Sequence, residues 1–222
     1  CCSPSPYRCR GELNRRLQTF QEATSNMKNL VYSLLLITSL ASAHELPASI
    51  LEQIPEGYSV LRHASGELND DALADYLVVV HKSQEATLSS EQPAPARPLL
   101  LFTQRTDGSY ALSKRNDQVV FRVDEGGQCD PFGDDGRGLV INKRYFTIEN
   151  GVACGQHWTD YITFRYDTKL KDWVFHKRIF ENWVPNDSED PDAEALVMDA
   201  HQVTTATRNA PIRFADYSPP DR

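Results

Sequence analysis

The sequence has no long apolar run, no excess of positive charge and none of the repeats of fibrous proteins. Its longest apolar segment, residues 30–40, is too short to cross a bilayer, which takes about 20 apolar residues. There are 23 Lys and Arg against 31 Asp and Glu, for a formal net charge of -8. The missing runs and repeats exclude a multi-span membrane protein, a collagen and a coiled-coil rod. The negative net charge disfavours electrostatic attraction of the chain as a whole to nucleic acid or anionic lipid. The 222 residues, 40% hydrophobic and 24% charged, are typical of one globular domain with tails.

The common catalytic motifs are also missing. The chain has no G-x-S-x-G elbow, no P-loop, no H-E-x-x-H and no C-x-x-C. Acidic residues abound, but no pair stands out as the two carboxylates of a glycoside hydrolase. The histidines lie far apart in sequence and are expected to be ordinary surface or strand residues: His63, His81, His157, His176 and His201.

An internal segment has the three parts of a secretory signal peptide. A short basic start at 27–29 is followed by the apolar run 30–40 and by the small-x-small cleavage site at 41–43. We therefore expect 27–43 to be a bacterial signal peptide and Met27 to be the natural start, which makes 1–26 a non-native upstream extension. The product should be periplasmic or secreted, with no membrane insertion after cleavage.

Two cysteines follow the cleavage site, Cys129 and Cys154. In an oxidising compartment an even pair is typical of a disulfide. The bridge would close a loop of about 25 residues and stabilise the fold by about 3 kcal/mol in the chain-entropy model. The alternatives are a lone nucleophilic cysteine or a metal-binding pair.

The residue patterns of the first half predict one short helix and several strands. Apolar residues at i, i+4 spacing predict a helix within 46–54. The run 76–80 is apolar and β-branched, as in a central strand that is buried on both faces. Asp107-Gly108 is a hairpin turn signal, and the polar stretch 83–97 indicates a surface loop or a disordered insert.

Alternating residues in the second half predict further strands. The alternation is present at 119–123 and is cleanest at 162–166, whose antiparallel partner is 173–175 across a polar turn. The count of seven to nine short strands predicts a mainly β fold: one antiparallel, sandwich-like domain over 44–184 with one or two short helices near its N-terminus. The remainder, 185–222, is predicted to be an acidic, partly disordered extension, in which 212–214 could add a late strand.

A candidate calcium loop precedes the strand at 76–80. Oxygen-bearing side chains recur at Glu67, Asn69, Asp71 and Asp75, which is how a tight loop surrounds a hard cation. The loop resembles the D-x-N-x-D-G-x-x-D loop of FG-GAP and integrin-like (VCBS-type) repeats, where it precedes a β-strand and often binds calcium. It departs from that pattern at Glu67 and at Ala72, where glycine normally makes the sharp turn. The alternative is a polar turn that starts a strand.

A wider resemblance is carried mainly by 145–175, which includes YFTIENG and W-x-D-Y-I-T-F-R-Y-D. This stretch resembles a loose group of small exported bacterial proteins of undefined role, so the likeness implies export and no particular activity. A second acidic loop at 130–138 has three carboxylates, and we interpret it as a surface loop anchored at Cys129.

Aromatic residues are dense between 158 and 183, and most are expected to fill the core. Trp158 and Trp183 lie beside polar loops at strand edges, so they are candidates for partner binding as well as for the core.

These observations favour an exported, non-enzymatic binding protein, such as an inhibitor or immunity protein against a secreted partner. An acidic, rigid β scaffold would meet a basic or amphipathic protein. The alternatives are a metal-assisted exported hydrolase built on Glu67, Asn69, Asp71 and Asp75, and a calcium-stabilised module of the cell surface.

Overall fold

A computed structural model describes residues 45–87, 93–132 and 138–220 of the chain. The predicted upstream extension, 1–26, and the predicted signal peptide, 27–43, lie outside the described residues. Leu46–Arg222 is one unit of the chain, and its described residues form the elements below.

The fold is mainly β, with two antiparallel sheets and very little helix, which confirms the predicted sandwich-like architecture. The first sheet has the order β1-β2-β3-β4 and the second has the order β5-β6-β7-β8-β9, so within each sheet every strand pairs with its neighbours in sequence. The strands of the first sheet are β1 Ser59–Gly66, β2 Asp75–His81, β3 Leu99–Gln104 and β4 Tyr110–Asn116. Those of the second are β5 Leu139–Asn142, β6 Tyr145–Cys154, β7 Gln156–Asp167, β8 Asp172–Pro185 and β9 Leu196–Thr205.

Three short helical segments accompany the sheets within the described residues. The predicted N-terminal helix is present as the single turn α1, Ala48–Leu51, and its Ile50 is fully buried. The other two are 3-10 turns, η1 at Glu85–Thr87 and η2 at Phe214–Asp216.

The main core lies between the two sheets. Leu77 and Val79 of β2 belong to the same buried cluster as Phe146, Ile162 and Phe164 of the second sheet. The opposite face of the first sheet forms a smaller core with α1, and this core includes these residues: Leu46, Ile50, Tyr76, Val78, Val80, Leu100, Phe102 and Tyr110. Strand β2 is therefore buried on both faces, as its unbroken apolar run predicts.

Two predicted hairpins are present with their expected turns. Gly108 has φ +84° and its N–H donates to the Arg105 carbonyl at 2.9 Å, so it makes the turn between β3 and β4. In the second sheet, Phe164 pairs with Phe175 and Tyr166 with Trp173, which is the predicted antiparallel pairing.

The strand predicted at 119–123 is wrong, because this segment forms bends and turns. Two asparagine side chains take the place of a strand partner. Asn116 Oδ1 accepts the N–H of Gln118 at 2.7 Å, and Asn150 Oδ1 accepts the N–H of Phe121 at 2.9 Å. Asn150 Nδ2 also donates to the Val119 carbonyl at 3.0 Å. These bonds satisfy the buried backbone without a sheet ladder.

The C-terminal region, which we expected to be partly disordered, carries two ordered features. Residues 196–205 form β9, which the sequence pattern did not indicate. Phe214 and Tyr217 belong to the main core, and Tyr217 stacks on Phe175 with ring centroids 4.5 Å apart. Asn116 Nδ2 donates to the Tyr217 carbonyl at 2.8 Å, which ties this segment to β4. The suggested late strand at 212–214 is reduced to one bridge between Arg213 and Val174.

Candidate functional site

Two residues of the predicted calcium loop, which lies just before β2, have the left-handed backbone conformation. Asp70 has φ 72° and Ala72 has φ 64°, both in the region that favours glycine. Ala72 therefore makes the sharp turn for which the predicted resemblance would require glycine.

The polar side chains of this loop fold back on its own backbone. Glu67 Oε1 accepts the N–H of Asn69 at 2.8 Å and also that of Asp70. Asp71 Oδ1 accepts the N–H of Leu73 at 2.8 Å, and Asn69 Nδ2 donates to Asp71 Oδ2 at 2.9 Å. Such bonds stabilise a polar turn without a ligand.

Asp75 is the buried member of the set, with no exposed surface. Its Oδ2 accepts the N–H of Leu68 at 3.2 Å and its Oδ1 accepts that of Gln104 at 3.0 Å, so it links the loop to β3. Burial raises the pKa of Asp75 to about 6, and the negative charges of Asp71 and Glu67 act in the same direction. A carboxyl that titrates near pH 6 makes this loop sensitive to pH.

Within the residues that the structure describes, no three His, Cys, Asp or Glu side chains are placed to hold a metal ion. Calcium binding by Glu67, Asn69, Asp71 and Asp75 stays a prediction, and the bonds above also fit the alternative of a polar turn.

The predicted disulfide is present between Cys129 and Cys154, with the two Cα atoms 6.4 Å apart. It joins the loop after β4 to the end of β6. The second acidic loop begins beside it at Asp130, but residues 133–137 lie outside the described residues.

An ion network that the sequence did not indicate lies next to this disulfide. Arg97 has 1% of its side chain exposed and donates to Glu85 Oε1 at 2.6 Å and to Asp130 Oδ1 and Oδ2, both at 2.6 Å. His81 Nδ1 lies 2.9 Å from Glu85 Oε1. Because Arg97 pairs with two carboxylates, it holds η1 and the start of the second acidic loop to the segment just before β3.

The two candidate partner-binding tryptophans lie on opposite faces of the second sheet. Trp158 pairs with Asn182, whereas Trp183 pairs with His157, and adjacent residues of a strand point to opposite faces. Trp158 packs near Phe121 and Phe180, with ring centroids 5.7 and 6.4 Å away. The structure does not bring the two tryptophans into one surface.

Trp183 belongs to a set of apolar residues on the outer face of β7, β8 and β9, in which two apolar rows are separated by the Glu181–His201 pair. Trp183 pairs with Met198, and Ile179 pairs with both Tyr161 and Val203. We call these five residues the outer strip. Met198 and Val203 are 45% and 50% exposed, and Trp183 is half-buried.

Strands β8 and β9 extend as a ribbon whose tip is acidic. The connecting residues, 186–195, carry five carboxylates and no Lys or Arg, and all of these carboxylates are exposed. Asn186 closes the tip, since its N–H donates to the Ala195 carbonyl at 3.0 Å. In the described part of the chain, β9 has β8 as its one strand neighbour, so its other edge is open.

A bulge interrupts this edge at Asp199, between the pairs Asn182–Ala200 and Trp183–Met198. Asn182 Nδ2 donates to Asp199 Oδ2 at 3.2 Å. Bulges and charges protect an edge strand from non-specific pairing. The uninterrupted part of the edge is therefore 200–205.

Asp160 and Arg178 form a second buried pair, at the base of the ribbon. Arg178 Nε donates to Asp160 Oδ1 at 2.9 Å, and Arg178 Nη1 donates to the Pro220 carbonyl at 3.0 Å. Burial raises the pKa of Asp160, while the charge of Arg178 opposes that rise. The pair fixes the C-terminal segment against β8.

No helix among the described residues is long and apolar enough to cross a membrane. Comparison of the chain with protein-family models, curated proteins and solved structures found no match.

Proposed function

We propose that this protein is exported and acts as a non-enzymatic binding protein, of the inhibitor or immunity type, for a protein partner in the periplasm or outside the cell. The observation that carries the proposal is the β8–β9 ribbon, which combines the outer strip, an open strand edge and an acidic tip.

The ribbon has the composition of a protein-binding surface. A half-buried tryptophan beside an exposed methionine offers a large apolar contact area, and these residue types are enriched in interfaces. The open edge at 200–205 presents backbone N–H and C=O groups to which an extended segment of a partner can add as a further strand. The strip would then supply side-chain specificity.

The charge of the ribbon defines the kind of partner. The five carboxylates of 186–195 lie beside Trp183 and Met198. A basic or amphipathic partner is therefore attracted to this end of the molecule, and the attraction would increase its association rate.

The disulfide supports the proposed compartment. Disulfides such as Cys129–Cys154 persist in oxidising compartments and are rare in the bacterial cytoplasm. Export by the predicted signal peptide, 27–43, would place the chain in such a compartment.

The proposal is tested by affinity capture. The chain is expressed with its signal segment and a C-terminal tag, recovered from periplasmic and culture fractions with and without EDTA, and its partner is identified by mass spectrometry. The partner is then purified, and its affinity is measured against variants. We expect Trp183→Ala to weaken binding about 30-fold or more, as for an interface hot spot.

The matched control is Leu112→Ala, because Leu112 is a 42% exposed apolar residue of β4 in the other sheet. This change should leave the affinity as it is. Trp158→Ala tests the second predicted tryptophan, which lies on the opposite face from Trp183. Equal affinity for the wild type and Trp183→Ala would contradict the proposed surface, and recovery of no stoichiometric partner would contradict the function.

The two alternative functions both require a cation at Glu67, Asn69, Asp71 and Asp75. Capture that depends on calcium and is lost in EDTA would favour the cell-surface module. Hydrolysis that is lost in Asp71→Ala, with the fold intact, would favour the enzyme.

A further inference from the structure

A cleft of about 470 Å³ lies at the other end of the second sheet from the acidic tip. It is bounded by the turn between β7 and β8, by the start of β8 and by the segment that follows β9. Small-molecule sites are typically clefts of about 300–1,000 Å³ with apolar walls and a few polar groups. The size of the cleft therefore suits a small organic ligand.

Four cationic side chains line this cleft: Arg165, Lys169, Lys177 and Arg208. Asp167 is the one carboxylate among its lining residues. Asp167 Oδ1 accepts the N–H groups of Lys169 and Leu170 at 3.0 and 3.1 Å, and Arg165 Nη2 lies 3.4 Å from Asp167 Oδ2. The carboxylate thus caps the turn and faces Arg165.

The other three cations have no carboxylate of the described residues within 4.0 Å: Lys169, Lys177 and Arg208. Two of the four cations of the cleft also act on the neighbouring His176. Burial lowers the pKa of His176, and the charges of Arg165 and Lys177 lower it further. In a chain of net charge -8, the cleft is a local concentration of unneutralised positive charge.

The backbone holds these cations around one opening. A bulge in the β7–β8 pairing leaves His176 between the pairs Phe164–Phe175 and Thr163–Lys177. The His176 carbonyl accepts the N–H of Ala206 at 3.0 Å, which brings the residues after β9 to the cleft. Tyr145 packs edge-on against the His176 ring, with centroids 5.2 Å apart.

The base of the cleft is apolar. Val174 and Phe175 are 1% and 4% exposed and form its floor, while Leu170, which is 42% exposed, forms part of its wall. An adjoining cleft of about 320 Å³ shares Arg165 and Lys169 and adds Arg144. A ligand with an apolar body would therefore be surrounded by cations on more than one side.

We propose that this cleft binds a small organic anion that combines an apolar or aromatic body with a phosphate, sulfonate or carboxylate group. The anionic group would be held by Lys177, Arg208 and Lys169, and the apolar body would lie against Leu170 and the floor. The cleft lies at the end of the ribbon away from the acidic tip, where Lys177 pairs with Thr205, and the binding of a small molecule there goes beyond the protein-binding function proposed above.

Calorimetric titration with three probes tests separately whether the ligand needs its anionic group and its apolar body. 1-Naphthyl phosphate has both the charge and the aromatic body, inorganic phosphate has the charge alone, and 1-naphthol has the body alone. We expect one saturable site for 1-naphthyl phosphate, at least tenfold weaker binding of each other probe, and weakening of the 1-naphthyl phosphate affinity by added salt. Equally tight binding of 1-naphthol or of inorganic phosphate would overturn the proposal.

Variants locate the site. The double variant Lys177→Ala/Arg208→Ala should weaken 1-naphthyl phosphate binding at least tenfold, and Lys177→Arg should retain it. The matched control is Arg105→Ala, an exposed arginine in the turn of the first sheet, which should leave the affinity unchanged. Circular dichroism and melting temperature confirm that each variant is folded.

Two results would overturn the assignment. One is the absence of saturable binding of 1-naphthyl phosphate to the wild type. The other is an equal affinity for the wild type and the folded double variant, because binding would then lie elsewhere on the surface.

Discussion

The central strands β2 and β3 of the first sheet are buried on both faces, whereas β9 at the edge of the second sheet is exposed on both faces. Leu77 and Val78 of β2 are both fully buried although they point to opposite faces. In β9, Val197 and Met198 are 41% and 45% exposed at adjacent positions. Adjacent strand residues are therefore both buried in β2, whereas they are both exposed to solvent in β9.

We infer from this difference that the first sheet mainly stabilises the fold and that the ribbon mainly serves binding. Changes in the first sheet and its ion network should lower the free energy of unfolding, because they create cavities or leave charges unpaired. Changes in the ribbon should leave that free energy nearly as it is and should act on binding. The following predictions test the division, from the largest expected effect on stability to the smallest.

Arg97→Met is expected to lower the free energy of unfolding by about 3–5 kcal/mol, because it leaves two carboxylates without their buried cation. The matched control is Arg115→Met, since Arg115 pairs with Asp117 at an exposed site and such pairs contribute about 1 kcal/mol or less. Urea denaturation measures both. Similar losses of unfolding free energy in the two variants would show that the buried network of Arg97 stabilises the fold no more than the exposed Arg115–Asp117 pair does.

Leu77→Ala is expected to lower the free energy of unfolding by about 2–5 kcal/mol, since it opens a cavity between the sheets. Val203→Ala in the ribbon should change it by about 0.5 kcal/mol or less, because Val203 is 50% exposed. The same denaturation series measures the pair. A large loss in Val203→Ala would mean that the ribbon is part of the stabilising core.

Stability should rise as the pH falls through the range set by Asp75. The pKa of Asp75 is about 6 in the folded chain and 3.8 as its ordinary value, so the folded state binds the proton more tightly. Its contribution therefore favours folding as the pH drops from about 6 towards 4, by at most about 3 kcal/mol. In Asp75→Asn this part of the pH dependence should vanish. An unchanged pH profile in that variant would assign the effect to other groups.

A calcium-loaded loop at 67–75 would act in the opposite direction on Asp75, because a cation favours the ionised carboxylate. At a calcium concentration 100 times the dissociation constant, the fold would gain about 2.7 kcal/mol, measured as a higher melting temperature in calcium than in EDTA. Asp71→Ala should abolish the difference. Identical melting curves in calcium and EDTA would rule out the calcium prediction and leave the polar turn.

The sequence was sufficient where a local pattern decides the structure. The apolar run at 76–80 and the turn at Gly108 needed no distant partner to be recognised. The strand predicted at 119–123 failed because Asn116 and Asn150, which satisfy its backbone, lie outside the segment. Strand β9 was missed because its residues are exposed on both faces, so its sequence lacks a clear alternation.

The candidate sites depend on contacts that sequence spacing does not reveal. Arg97 reaches Glu85 and Asp130, which are 12 and 33 residues away, and only the fold brings the three together. The cations of the cleft come from β7, β8 and the segment after β9 for the same reason. The disulfide was predictable because the segment after the predicted cleavage site holds a single cysteine pair.

Hydrogen–deuterium exchange on the captured complex tests the central claim, that the ribbon is the recognition surface. In the free chain, we expect the amides of β2 to exchange slowly and those of 200–205 that face away from β8 to exchange quickly. Adding the partner should slow exchange at 200–205 and leave β2 unchanged. Protection that appears elsewhere in the chain, with 200–205 still exchanging quickly, would contradict the account.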